Sequence, residues 1–465
     1  MIPPHFIKHT SGWTLAMVTG IGVWCLFPLE PAARHCFAII LVGIVCFIFD
    51  LLPNYIVGIW ITILPVILGI TPADVALKPT TQWAWWIILI GFMIGVAFNK
   101  TGLGNRFGLY FGATIVKGWF SVILSIFLMN IVFNILVPFS GAAAIAIGIS
   151  IFMPIAHDMG FRPGDNGFNG IALACVTSNL LAGELVLTGW PINPLAVTLF
   201  SPYFQLDYMG WIKYITFPAS ILVITGYFAV ALAFKPRQSV LYDSKSAKKQ
   251  LQALPRISIA EVKTLFIILL ILLAFITQPW HGLEAGWMAL GFSFLFFVPV
   301  IGVLDTKEFS TQLPWHFFMF LLGVFSIGYQ LNHHNIQIWL AQNTMANGIE
   351  NWPPILANGY ISCLMTFMHF VVGSMVPLLA SFIPTLASYA SDSGMPLIMT
   401  FGTVLFSSKR WIFPFQEAFV LMTQGLTYGK LESWAIIKLG TILTILIILV
   451  VIPISTFYWR LIGAP

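Results

Sequence analysis

Apolar runs of membrane length follow one another along most of this chain. At roughly 20 residues per span, they fall near 13–29, 36–52, 54–70, 84–99, 211–234, 259–277, 284–303, 315–331, 355–372 and 434–457. Two stretches resist this parse, 118–200 and 373–428, where the apolar pattern is interrupted by VPFSGAAA, LTGWPINP, VGSMVP and KRWIFPFQEA. A proline inside a helix removes a backbone donor and clashes with the preceding turn, so an ordinary span gains nothing from these residues. Non-helical backbone at membrane depth is tolerated only where protein buries it or it lines a wet cavity. Two such regions, one in each half, predict a secondary transporter whose site lies between them near the membrane centre.

One insert is plainly hydrophilic, FKPRQSVLYDSKSAKKQLQALPRIS, residues 234–258. It carries Lys235, Arg237, Lys245, Lys248, Lys249 and Arg256 against the acid Asp243, so the positive-inside rule places 235–258 in the cytoplasm. The insert divides the chain near its middle, and the halves match in order. WAWWIILIGFMIG (83–95) pairs with WHFFMFLLGVFSIG (315–328), VPFSGAAAIA (137–146) with VGSMVPLLAS (372–381), and WPINPLA (190–196) with FPFQEAF (413–419). An internal repeat accounts for this order. The resulting partition has scaffold helices and the start of repeat 1 in 1–117, and the transport region of repeat 1 in 118–210. Further scaffold helices with the 235–258 loop fill 211–313, and the repeat 2 transport region with a C-terminal span fills 314–465.

Composition fixes the solvent. Hydrophobic residues make up 59% of the chain, charged residues 8%, and mean hydropathy is +0.93, against roughly 25% charged in an average soluble protein. The net charge of +5 reads as loop bias, not as a nucleic-acid footprint. Cys25, Cys36, Cys46, Cys175 and Cys363 stand singly in apolar stretches, which is neither a disulfide framework nor a metal spacing, and are expected to be small buried hydrophobes. No P-loop, His-Glu-x-x-His or Gly-x-Ser-x-Gly is present, so neither a nucleotide-driven pump nor a familiar hydrolase is indicated, and no enzyme is expected.

The broken stretches resemble those of the divalent-anion:sodium symporters, a family that carries di- and tricarboxylates or sulfate. Its repeats each hold a re-entrant hairpin tipped by Ser-Asn-Thr and an unwound helix marked by a Thr-Pro-Pro-Asn-like turn. VPFSGAAAIAIGISIFMPIAHDMG resembles the first hairpin, with Phe139, Ser140 and Gly141 at its tip, and TGWPIN, Thr188 to Asn193, resembles the first turn. GSMVPLLASFIPTLASYASDSG looks like the second hairpin, with Ser374, Met375 and Val376 at its tip, and FPFQ, Phe413 to Gln416, stands at the second turn. Neither tip keeps Ser-Asn-Thr, and Trp190 and Phe413 stand where small or hydroxylated residues are usual. The resemblance implies an all-α multi-pass inner-membrane protein of two inverted-topology repeats with re-entrant hairpins and discontinuous helices, about 11 spans in all. It also implies a homodimer and elevator-like movement of a small anion.

A dianion leaving water needs fixed donors: hydroxyls, amides, backbone N–H groups and half-helix N-termini. Ser140, Thr188, Asn193, Ser374 and Gln416 offer side chains, while Gly141, Gly189, Pro191, Met375 and Pro414 shape the backbone of the same tips and turns. Sodium in such folds takes unwound carbonyls and hydroxyl or amide oxygens, for which Ser140, Gly189 and Ser374 are the candidates. The missing tip amides weaken that expectation. Glu184 and Glu417 lie beside the two turns, and a carboxylate at membrane depth is by default a functional candidate, often a proton relay. Coupling is therefore expected to use Na+ or H+ and no other cofactor, with the proton favoured and Glu184 its carrier. Lys409 and Arg410 are expected to mark the end of a span, with contact to substrate as the other reading.

Among the remaining polar residues, His333 and His334 are expected at the surface, His369 in the core, and Lys100 and Arg106 as interface anchors. The function expected is cation-coupled secondary transport of di- or tricarboxylates. A sodium/proton antiporter, or an oxyanion permease for sulfate or arsenite, is the alternative within transport. An intramembrane enzyme would yield a product, and a sensor would bind without flux.

Overall fold

The computed structural model describes residues 4–49, 51–137, 141–190, 192–237, 242, 245–344, 348–372 and 375–465. Of the positions singled out in the sequence, Phe139, Ser140, Pro191, Gly373 and Ser374 lie outside the described residues, as do 238–241 and 243–244 of the hydrophilic insert. Among the described residues the fold is all-helical. Its first half runs α1 (Pro4–Leu26), α2 (Pro31–Phe49), α3 (Asn54–Ile67), α4 (Trp83–Thr101), α5 (Leu103–Thr114), α6 (Trp119–Leu136), α7 (Gly141–Asp158), α8 (Asn166–Ala182), α9 (Ile192–Phe200) and α10 (Tyr208–Ala233). The second half runs α11 (Lys245–Ala253), α12 (Ile259–Ile276), α13 (Ala285–Ser293), α14 (Trp315–His333), α15 (Ile336–Thr344), α16 (Pro354–Val372), α17 (Met375–Ser393), α18 (Leu397–Ser408), α19 (Ala418–Leu426) and α20 (Ser433–Leu461).

Among the described residues, six helices are long and apolar enough to cross a membrane, or seven if α4 and α5 are taken as one span bent by 71°. Gly102 makes that bend, since its φ of 79° lies in the left-handed region where a side chain is strained. The apolar run at 284–303 departs from expectation. Its helix gives way to a 3-10 turn, Phe294–Phe297, and stops there. Pro299 disfavours helical backbone at Val298, and the chain then folds back so that Val303 and Leu304 donate to the Phe296 carbonyl.

Helices α1, α2, α3, α4, α12, α13 and α14 pack into one framework through the pairs α1–α2, α2–α3, α3–α14, α4–α12, α4–α13 and α12–α13, joined by the smaller contact α4–α14. The α3–α14 crossing is the tightest of these. A Cβ on Gly323 would lie 2.3 Å from Gly58 Cα, and one on Gly58 would lie 2.8 Å from the Phe320 carbonyl oxygen, so backbone meets backbone as at other small-residue crossings in membranes.

The repeat seen in sequence is a repeat of packing. Hairpin α6–α7 packs on α8, and hairpin α16–α17 packs on α18; α5 lies on α7 as α15 lies on α17; α10 covers α6 and α8 as α20 covers α16 and α18. The short second halves then cross over. Helix α9 packs against α17 of the other repeat, and α19 packs against α7 and α8. Each broken helix is thereby completed inside the opposite repeat, which brings both breaks into the protein interior.

Candidate functional site: two unwound turns joined by a buried ion pair

Helix α8 is buried almost throughout and ends at Ala182, passing through the 3-10 turn Gly183–Leu185 before α9 begins at Ile192. Two features hold this break. Gly189 lies so close to Gly183 that an added Cβ would sit 2.4 Å from the Gly183 carbonyl oxygen. Asn193 turns its amide back along the chain and donates Nδ2–H bonds to the carbonyls of Gly183 at 2.9 Å and Val186 at 3.2 Å. These are backbone acceptors that a continuous helix would have satisfied.

The second break is held by the same logic with different residues. Past the end of α18, Arg410 donates from Nε to the Ser407 carbonyl at 2.7 Å and from Nη2 to the Ser362 carbonyl of α16 at 2.7 Å. Gln416 Oε1 accepts from the backbone N–H groups of Ile412 at 2.7 Å and Phe413 at 2.8 Å, while its Nε2 donates to the His369 carbonyl at 3.3 Å. Pro414 opens the 3-10 turn that ends at Gln416. Glu417 caps α19 by accepting from Phe419 N–H at 3.2 Å. Asn193 and Gln416 thus both serve backbone groups of their own turns.

Glu184 of the first break and Lys409 of the second meet at 2.6 Å, both with wholly buried side chains. The Lys409 ammonium also lies 5.2 Å from the ring centre of Trp190, with Glu417 close enough to act on its charge. Trp190 packs edge-on against Phe419 of α19 at 4.9 Å, and its ring lies over Gly141 at the start of α7, where a Cβ would meet it at 2.6 Å. Trp211 of α10 donates from Nε1 to the Glu184 carbonyl at 3.0 Å. Isolated charges are not stable in such surroundings, so pairing is the physical condition for Glu184 and Lys409 to be there at all.

Lys409 and Arg410, expected from sequence to mark the end of a span, do follow the end of α18 but are buried in protein, at 2% and 3% exposure. The helix end they follow is a half-helix end inside the protein, where its carbonyls and a carboxylate replace water. Thr188 is buried beside Tyr208, and Met375 is buried at the start of α17. His369 is in the core as expected. Cys36, Cys46 and Cys175 are buried, whereas Cys25 and Cys363 are exposed, against expectation. His334 bonds Thr71 at 2.9 Å while His333 is exposed. Lys100 pairs with Glu308 at 2.5 Å, and Arg106 with Glu261 at 2.7 Å.

Sequence reasoning passed over a buried amide cluster behind the first break. Asn130 donates to Ser178 at 2.8 Å, Asn179 donates to the Asn130 side-chain oxygen at 3.1 Å, and Asn134 donates to the Asn130 carbonyl at 2.8 Å. The oxygens Asn134 Oδ1, Asn179 Oδ1 and Asn193 Oδ1 are buried and meet no donor among the described residues. Two asparagines four apart in the apolar run of α6 were the available sign, since that spacing puts both on one helix face.

Two repeats of hairpin and broken helix, with the breaks buried against each other, define a transporter of the discontinuous-helix class. The profile "Sodium:sulfate symporter transmembrane region" matches residues 10–464, and the chain belongs to that family. It is 22% identical over 483 residues to the inner membrane protein YbhI of Escherichia coli, covering 98% of each chain. It is 23% identical over 354 residues to the putative malate transporter YflS of Bacillus subtilis, covering 74% of this chain and 73% of that one. It is 21% identical over 476 residues to the chloroplastic dicarboxylate transporter 1 of Spinacia oleracea, covering 96% of this chain and 80% of that one. The fold is shared with the YdaH transporter of Alcanivorax borkumensis, at a TM-score of 0.54 and 11% identity over 89% of this chain and 99% of that one. The family is one of symporters, and the Bacillus subtilis and Spinacia oleracea relatives are named as transporters, not as enzymes.

Proposed function

We propose that this chain carries small dicarboxylates across a bacterial-type inner membrane, working as a homodimer in which the two hairpin regions move relative to the framework helices. The observation that supports it best is the convergence of the two unwound turns on one buried ion pair, Glu184–Lys409. An ammonium held inside the protein by a carboxylate is a charge that an entering anion can engage once the carboxylate is neutralised. Two relatives whose names specify malate or dicarboxylate favour that class over sulfate and arsenite.

Coupling follows from the same pair. A proton taken up by Glu184 removes its negative charge and frees Lys409 for a substrate carboxylate; return of the pair expels both proton and substrate. Among the described residues, Lys409 is the charge that faces Glu184, with Glu417 beyond it. Purified protein in proteoliposomes should take up labelled L-malate or succinate in preference to sulfate, and accumulate it under an inwardly acidic-outside pH gradient. Uptake of sulfate without any dicarboxylate would reverse the substrate assignment, and indifference to the pH gradient would remove the proton.

A further inference from the structure

The two unwound turns are alike in backbone and opposite in charge. Cations in carriers of this build are held at half-helix C-terminal ends, by unwound carbonyls together with side-chain oxygens. The first turn suits that chemistry: it follows the C-terminus of α8, carries Glu184, and lies beside the donor-free oxygens of Asn134, Asn179 and Asn193. A Cβ at Gly183 would come within 3.4 Å of Asn134 Oδ1, and one at Gly141 within 3.3 Å of Asn179 Oδ1, which sets both oxygens at the turn and at the start of α7. The second turn does not suit it. The first residue past α18 is Lys409, with Arg410 next, and two carbonyls beside them, Ser407 at the end of α18 and Ser362 of α16, are already bound by Arg410.

From this we infer that the second turn carries its own cation: Lys409 and Arg410 occupy the place of a mobile sodium ion there, and Lys409 is the fixed positive charge of the site. The carboxylates there, Glu184 at 2.6 Å and Glu417 nearby, are already served by Lys409, so an alkali ion brought to that place would have to displace a fixed charge of its own sign in surroundings that screen charge weakly, with Arg410 holding the two carbonyls. The helix C-terminus that attracts cations is already neutralised by the chain. The carrier therefore binds one sodium at most, at the first turn. The statement about sodium stands without reference to the substrate; the statement that Lys409 faces a transported anion rests on the reading of the chain as an anion carrier.

The test titrates sodium against choline at constant pH and ionic strength, on the full-length protein, with two readouts. One is thermal unfolding without substrate, because a ligand that binds only the folded state raises its stability with concentration. The other is exchange of labelled for unlabelled L-malate. The expected result is a response to sodium that is absent or first order in both. A linked sodium ion changes substrate affinity by about 5- to 150-fold, so a cooperative response involving two or more ions would be plain and would overturn the inference. The triple variant Glu184→Gln, Lys409→Gln and Arg410→Gln keeps the place neutral, frees the Ser407 and Ser362 carbonyls and offers amide oxygens where the two cations stood. It should gain one order of sodium dependence in the unfolding readout. If that variant keeps the wild-type sodium response and the wild-type exchange rate, Lys409 fills no cation place and the inference fails. Should wild-type protein exchange neither malate nor sulfate, the transport reading is lost while the unfolding titration still decides the sodium question.

Discussion

Glu184 and Lys409 stand 225 positions apart and share one environment, and the energetics of that pairing are lopsided. Replacing a buried pair by neutral side chains of similar volume is often nearly neutral, whereas removing one partner leaves an uncompensated charge and is destabilising by about 3–5 kcal/mol. Glu184→Gln and Lys409→Met should therefore each lower the unfolding temperature markedly, and the double variant should recover most of the loss. Differential scanning of the four proteins in detergent measures this as a coupling energy; additive losses would mean that the two residues do not depend on each other. Gly189 makes a different demand. With Gly183 O at 2.4 Å from its would-be Cβ, Gly189→Ala has to push the two strands of the turn apart, at a cost of about 1–3 kcal/mol typical of overpacking. Substrate binding by that variant, followed by equilibrium dialysis, should fall more than its stability does, because the displaced backbone belongs to the site. Unchanged affinity would separate the turn from the site.

At the scale of elements, hydropathy exposed most of what the bilayer dictates. Spanning helices must satisfy their own backbone, so runs such as 54–70 and 434–457 appear as α3 and α20 with small shifts at their ends. The breaks were legible too, because Gly189 and Pro414 have little reason to sit in a plain span. What held the breaks was not legible. Asn193 and Gln416 read as donors for a ligand, yet both reach back to carbonyls or N–H groups of the turns. Lys409 read as a span end because basic residues collect at membrane surfaces, and only the crossing of α9 and α19 into opposite repeats reveals that this helix end is internal. The clue available in sequence was charge complementarity near the two half-helix ends, Glu184 two residues past α8 and Lys409 one residue past α18. The Gly58–Gly323 contact was equally hidden, since glycines are common in membrane helices. Gly323→Leu should part α3 from α14 and lower the unfolding temperature, while Gly359→Leu, where an added Cβ meets nothing within 4 Å, should not. Equal effects of the two would show that the crossing contributes nothing specific.

Taken as a whole molecule, the framework and the hairpin regions meet along α4, α9, α14 and α17, and the contact is incomplete. A cavity of about 620 Å³ opens there, with Asp74, Lys78, Asn332 and His333 on the framework side and Thr198 and Pro384 on the side of the broken helix and second hairpin. If transport moves one body past the other, this gap is where their separation changes during the cycle, and a bridge across it should stop the cycle without destroying the site. Replacing exposed Cys25 and Cys363 by Ser and introducing Thr198→Cys with Asn332→Cys provides the two anchors, joined by a bifunctional thiol reagent with a cleavable disulfide. Exchange of malate should stop on linking and return on reduction, whereas malate should still protect the linked protein against unfolding. The control is a link inside one body. Ser362 and Ser407 hydroxyls are in contact at 2.9 Å, so thiols placed there can meet by side-chain rotation to form an S–S bond of about 2.05 Å, and Ser362→Cys with Ser407→Cys should oxidise and still exchange. Full exchange by the Thr198–Asn332 linked protein would exclude relative motion of the two bodies, and the carrier would then have to reach the buried pair by local opening within one of them.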